Sequence, residues 1–203
     1  FGLLAAERLA KIHAKHHFVL VDLDRENLLR GDGPNRTLEQ MDGVFFLDQR
    51  LHDAKAPDWI IPALPIHLAA EWCLVQQDLK GLRRINLPSD IDQVVPNPIR
   101  DSAGNIYTSH ADFLCPDDCD EPADICTVTQ MRRKTNMFEL LEKIRIPKIY
   151  SLVVRSYQLA PGIGGYRPRQ LFDLQKRVEK IEEDFILSTA CRCHGEMTGL
   201  GYR

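Results

Sequence analysis

Phe18-Val19-Leu20-Val21-Asp22 is a short apolar run closed by an acid. It follows a segment with helical periodicity. Ala5, Leu9 and Ile12 recur at i, i+4 and i+7, and Glu7 pairs with Lys11 at i, i+4 on another face. A helix feeding a short apolar strand that ends in an acid has the form of half of a βαβ unit, whose strands are buried on both faces. This reading sets the expectation for the whole chain, a mostly parallel sheet.

The pattern continues downstream. Gly31 to Asn35 is a loop by composition. Gly43 to Asp48 and Trp59 to Pro62 read as strands. Leu68, Trp72, Val75 and Leu79 mark the apolar face of a helix, and Gly81 stands just past its end. A helix is expected from about Asn136 to Ile144, and a strand at Ile149 to Val154. The loop Pro161-Gly162-Ile163-Gly164-Gly165 precedes a helix with Pro168 in its first turn and Leu171, Leu174, Val178 and Ile181 on one face. Phe185 to Ala190 reads as the last strand. Strands alternating with helices predict an α/β fold, Rossmann-like, with a mostly parallel sheet covered by helices on both faces. No linker divides residues 1–203, so one domain is expected, with a cysteine-rich loop excursion at about 96–134.

The start of the chain resembles a Rossmann-type NAD(P)-binding domain, and is similar to the nucleotide-binding domains of potassium-transport regulators. The resemblance rests on the first 25 or so residues. In that family a glycine motif opens the helix, and an acid about 20 residues on accepts the ribose hydroxyls. Gly2 stands where the third motif glycine would, and Asp22 follows it at that spacing. The resemblance implies that Asp22 favours NAD, and it places the first strand and its Gly-x-Gly upstream of Phe1.

The cysteines carry the strongest chemical signal. Of six, Cys73 lies beside Trp72 in a helix and reads as a small buried hydrophobe. The other five form two groups, Cys115, Cys119 and Cys126 in the excursion, and Cys191-Arg192-Cys193-His194 after the last expected strand. Five thiols and an imidazole exceed the four ligands of a tetrahedral zinc or the four thiolates of a cubane iron–sulfur cluster. The expectation is a shared metal site on Cys115, Cys119, Cys126 and one of Cys191 or Cys193, with His194 in reserve. Zinc is favoured over an iron–sulfur cluster. Disulfides, redox thiols and unrelated free thiols are the alternatives. Cys-x-Cys-His is one residue short of the haem-attachment motif, and covalent haem is rejected. The cysteine-bearing segments also resemble uncharacterised bacterial proteins, which implies no activity.

Other candidates are weaker. Gly162, Gly164 and Gly165, with Arg155, Arg167 and Arg169 nearby, form a candidate phosphate loop against the alternative of a tight turn. His110, five residues before Cys115, is a candidate ligand or proton-transfer group. His67 is read as a helix-start histidine, and Arg132 to Lys134 as a solvated run. No nucleophilic triad is visible.

Composition narrows the functions. Hydrophobic residues make up 44% and charged residues 27% of 203 positions, enough for a core. The net charge of −3 argues against a nucleic-acid partner. No apolar run is long enough for a membrane span, and no leader is visible ahead of the first helix, so a cytoplasmic chain is expected. The expected function is a dinucleotide-binding redox protein or oxidoreductase module with a Cys/His metal site, in a larger redox complex or a homo-oligomer. The alternative is a non-enzymatic regulatory or interaction module whose loops are stapled by structural zinc.

Overall fold

A computed structural model describes residues 1–52 and 56–202. Helix α1 (Gly2–Ile12) leads into strand β1 (Phe18–Asp22), helix α2 (Arg25–Arg30) and strand β2 (Arg36–Gln40). β1 and β2 pair in parallel, Phe18 opposite Arg36 and Asp22 opposite Gln40, and form a separate two-stranded sheet. The helix–strand reading of the first 22 residues therefore matches the local structure.

The principal sheet differs from the expected one. Its six strands are β3 (Leu82–Ile85), β4 (Ile99–Arg100), β5 (Ile106–Ser109), β6 (Ile149–Arg155), β9 (Asp184–Ala190) and β10 (His194–Tyr202). The order is β4-β5-β10-β9-β6, and β3 pairs with β10 beyond the end of β5. Only β6 and β9 run in parallel, while β10 is antiparallel to β9, β5 and β3. A mostly parallel Rossmann sheet is therefore the wrong architecture, and the fold is mixed α/β. The cause is β10. The chain reverses at once after β9, through Cys191 to Cys193, and a two-stranded reversal yields an antiparallel pair where a helical crossover would have yielded a parallel one.

Other segments depart from expectation too: β4 and β5 of the principal sheet lie inside the stretch at about 96–134 expected as a loop excursion, and β2 and β3 were not expected as strands. Gly43 to Asp48 lies in helix α3 (Gly43–Arg50), not a strand. Asp42 caps it by accepting the Phe45 N–H at 2.9 Å, which satisfies one of the first-turn donors. Trp59 to Pro62 forms only an isolated bridge, Ile60 to Tyr166.

The sheet packs on both sides. Helix α4 (Leu68–Val75) and helix α6 (Pro168–Val178) bury Trp72, Leu171, Leu174 and Val178 against Leu152, Val154, Phe185 and Leu187. Helix α5 (Met137–Glu142) buries Met137 and Leu141 against Ile106, Ile186 and Met197 on the opposite side. The alternation of Phe185 and Leu187 with Ile186 follows from the two-residue period of a strand. A hairpin of β7 (Tyr157–Ala160) and β8 (Ile163–Gly165) stands outside the sheet. α1 lies on this hairpin, with Ala5 and Leu9 against Ala160 and Ile163. The excursion has little regular structure of its own between β5 and α5, and the hairpin and the β9–β10 turn hold it in place.

Candidate metal centre

The β9–β10 turn is the fixed part of the site. β9 ends at Ala190, and Cys191 N–H donates to the His194 carbonyl at 2.9 Å, closing the reversal. Within it Cys191 Sγ accepts the N–H groups of Cys193 at 3.4 Å and His194 at 3.3 Å. His194 sits between two thiols. Its Nδ1 lies 3.7 Å from Cys191 Sγ, and its Nε2 lies 3.5 Å from Cys115 Sγ, 79 positions away in the chain.

The excursion is tied down along its length. Cys119 carbonyl accepts the Gly162 N–H at 3.1 Å and the Gln158 Nε2 at 2.5 Å, both from the β7–β8 hairpin. Arg8 of α1 donates through Nη1 to the carbonyls of Asp117 and Pro161. His110 N–H donates to the Cys193 carbonyl, and Met137 N–H to that of Arg192. Glu121 accepts the Arg192 N–H at 2.5 Å. Arg133 donates through Nη2 to Cys193 Sγ at 2.9 Å and through Nη1 to the carbonyls of Pro122 and Ala123. These anchors bring Cys115, Cys119, Cys126, Cys191, Cys193 and His194 into the wall of one cavity of about 780 Å³. His110 and Arg133 line it too.

Backbone N–H groups point at three of the sulfurs. Besides Cys191, Cys119 Sγ accepts the Glu121 N–H at 3.4 Å. Cys126 receives the N–H and hydroxyl of Thr129 and the N–H of Val128, and these donors hold its thiol below the usual range. Such donors favour the thiolate. Burial acts in the other direction. It pushes Cys115 up, helped by its neighbours Cys119 and Cys126, and it pushes Cys193 up against the pull of Arg133. Burial and then the Glu121 carboxylate push Cys191 up to about 12. His194 and His110 are both lowered, first by burial, which keeps the imidazoles neutral and able to donate a lone pair. His110 Nε2 is buried with no hydrogen-bond partner among the described residues. All five sulfurs are free thiols, and among the described residues no three His, Cys, Asp or Glu side chains converge as a ready-made shell for a single ion.

The remaining sequence candidates lie elsewhere or serve the scaffold. Asp22 ends β1, where its carboxylate accepts the Asp24 N–H at 2.8 Å and the Asn27 Nδ2 at 3.5 Å. It caps the turn into α2 and is not in the cavity wall. Gly2 is the first residue of α1, with Ala63 Cβ 3.4 Å from where a side chain would begin. Gly162, Gly164 and Gly165 belong to the β7–β8 hairpin, and α6 begins only at Pro168. The Gly162 N–H is committed to the Cys119 carbonyl, so at this glycine the loop turns tightly and docks the excursion. The guanidinium of Arg155 lies over the rings of Phe138 and Tyr157, and that of Arg167 over Trp59.

Two groups outside the cavity were not singled out for what they do. His67 is fully enclosed, and its ring bridges Thr198 Oγ1 at 2.7 Å and Thr189 Oγ1 at 2.8 Å. Glu196, on β10, is mostly buried, and burial raises its carboxyl to about 6. No helix among the described residues is long and apolar enough to cross a membrane.

A family described as "Uncharacterized protein, C-terminal domain" matches residues 66–203. An uncharacterized protein of Archaeoglobus fulgidus is 32% identical over 98% of this chain and 94% of its own length. No solved structure matches the chain. All five thiols and His194 fall within the matched span.

Proposed function

The chain belongs to this family of uncharacterized proteins, and we propose that it is a metal-binding module whose Cys/His centre locks the excursion onto the end of the principal sheet. The observation that carries the reading is the set of N–H groups aimed at Cys119 and Cys191. A neutral thiol gains little from such donors, whereas a metal-bound thiolate gains much, because they offset its charge. The convergence of two cysteine groups from distant parts of the chain on one cavity supports the same reading.

The ligands come from both sides of the cavity. Cys115, Cys119 and Cys126 would hold the metal from the excursion, and the Cys191–His194 turn would hold it from the sheet. A soft thiolate-rich set selects zinc or iron with sulfide over hard cations. Metal bonds would also supply the fixing energy that the excursion lacks in apolar contacts, since binding energy to an assembled ligand set is folding energy. Leu114 is 96% exposed, which shows how little of this loop is held by a core. Dinucleotide binding has no such support, because Asp22 is engaged at its own turn.

Hydrogen exchange tests the reading. Removal of metal from anaerobically purified protein is expected to speed exchange between residues 110 and 135 while β9 stays protected. Cys119→Ser is expected to give the same local pattern. Exchange in the excursion that is indifferent to both treatments would contradict the proposal.

A further inference from the structure

Resting on that reading, we infer that His110 is a ligand of the metal through its Nε2, paired with Cys193 across the extension of the β5–β10 ladder. The first ground is an unused nitrogen. His110 Nε2 is shut away from solvent and has no hydrogen-bond partner among the described residues, and His110 belongs to the cavity wall. A buried polar atom left unpaired costs free energy, so such an atom calls for a partner. Arg133 lines the same cavity but is committed elsewhere. Its Nη1 donates to the carbonyls of Pro122 and Ala123, and its Nη2 to Cys193 Sγ.

The ring is also held in a fixed sense. It hydrogen-bonds to the backbone of Thr135. With Nε2 unpartnered, that bond belongs to Nδ1, whose N–H donates to the Thr135 carbonyl. Nε2 is then the nitrogen that carries the lone pair. An imidazole oriented by one N–H on a backbone carbonyl, with its other nitrogen open, is the arrangement that presents a histidine to a metal.

The second ground is register. Ser109 stands opposite His194 at the end of the β5–β10 ladder. One step further, the His110 N–H donates to the Cys193 carbonyl at 2.9 Å, so His110 lies opposite Cys193. Opposed side chains of an antiparallel pair leave the same face, with Cβ atoms about 4.5–5.5 Å apart. That spacing lets a thiolate and an imidazole reach one ion, with Zn–S at about 2.3 Å and Zn–N at about 2.0–2.1 Å. Both donors stand at the rim of the principal sheet, whose strands fix their backbones.

The third ground is the contrast with His194. Its Nδ1 lies 3.7 Å from Cys191 Sγ and its Nε2 lies 3.5 Å from Cys115 Sγ. Both of its nitrogens already face sulfur, whereas His110 keeps one free. A nitrogen from His110 among the thiolates makes a mixed donor set, which suits zinc.

The test uses the full chain, purified without oxygen, stripped of metal and loaded with cadmium-113 in place of zinc. The expected result is scalar coupling between the cadmium nucleus and the ring protons of His110, which reports a bond from the metal to the imidazole. His110→Ala is expected to keep the wild-type far-ultraviolet circular dichroism and to bind zinc about tenfold or more weakly. Coupling at His194 alone, or at no imidazole, would overturn the assignment and leave the metal-binding reading standing. So would an unchanged zinc affinity in His110→Ala. A chain that binds neither cadmium nor zinc would overturn both.

Discussion

Arg133 Nη2 lies 2.9 Å from Cys193 Sγ, joining the far end of the excursion to the turn that follows β9. The same side chain donates to the carbonyls of Pro122 and Ala123, and its own N–H donates to that of Asp124. One residue thus ties residues 122–124 of the excursion to the turn after β9.

Arg133→Met removes the side-chain part of this clamp and keeps the aliphatic stem. A hydrogen bond from a charged group contributes about 1.5–3 kcal/mol, and partial exposure puts this one at the low end. A Tm lower by about 3–6 °C is expected for a domain of this size. Differential scanning calorimetry checks it, and an unchanged Tm would show that the guanidinium is not a clamp.

Gly162 tests the docking of the excursion on the hairpin. Its φ is +70°, and a Cβ there would stand 1.7 Å from the Asp117 carbonyl oxygen. Backbone cannot yield as a side chain can, so Gly162→Ala must push the excursion off the hairpin. The expected result is a lower Tm together with at least a tenfold loss of metal affinity. Gly164→Ala is the control. Its Cβ meets Ser156 Oγ at 2.8 Å, which can rotate away, and its φ is not in the left-handed region. Equal effects from the two substitutions would contradict this account of the turn.

The buried ionisable groups set the response to acid. Burial, aided by Arg84, lowers His67 to about 3, against an ordinary value of 6.5. The folded chain therefore keeps His67 neutral where the unfolded chain protonates it. Stability from this group is present above pH 6.5 and is lost progressively as pH falls from 6.5 toward 3. Glu196 acts in the opposite sense, because its folded value of about 6 lies above the ordinary 4.5. Its contribution is present below pH 4.5 and is lost as pH rises through 6. The two oppose each other between pH 4.5 and 6; below 4.5 His67 still changes, together with Asp101 and Glu139, whose hydrogen-bonded carboxyls are held below their ordinary values. His67→Gln should flatten the decline between pH 4.5 and 3. Chemical denaturation at a series of pH values checks this, and a decline as steep as in the wild type would rule out His67 as its source.

His67 also has a defined tautomer. Thr198 donates its hydroxyl to Asn105 Oδ1 at 2.7 Å, so Thr198 Oγ1 is left to accept from His67 Nδ1–H. Nε2 then accepts from the Thr189 hydroxyl. Nitrogen-15 chemical shifts should show an Nδ1–H imidazole at neutral pH, and an Nε2–H form would contradict this network.

Local periodicity was enough to find α1, β1, β6, α6 and β9, since each carries its apolar residues at the period of its element. It failed at β10, the centre of the principal sheet. Gly195, Gly199 and Gly201 weaken the strand signal. Their reason is tertiary, as at Gly199, where a Cβ would stand 2.6 Å from the Ile85 carbonyl oxygen on the neighbouring strand. With β10 hidden, β9 looked like the last strand and the sheet looked parallel. At the site, the cysteine groups could be picked out because thiols have few other uses at such density. Glu121 and Arg133 could not, since a charge in a loop reads as solvated until its partners in space are known. Gly162 carried a visible turn signal, but its partner Cys119 lies 43 positions earlier and nothing local points to it.

The most direct measurement is the metal content of the full chain purified without oxygen, set beside that of a Cys115→Ser, Cys119→Ser variant. The account predicts a transition metal in fixed proportion to the wild-type chain, absent from the variant while the variant's circular dichroism persists. A wild-type chain free of metal, with Cys115, Cys119, Cys126 and Cys193 all open to alkylation, would contradict it.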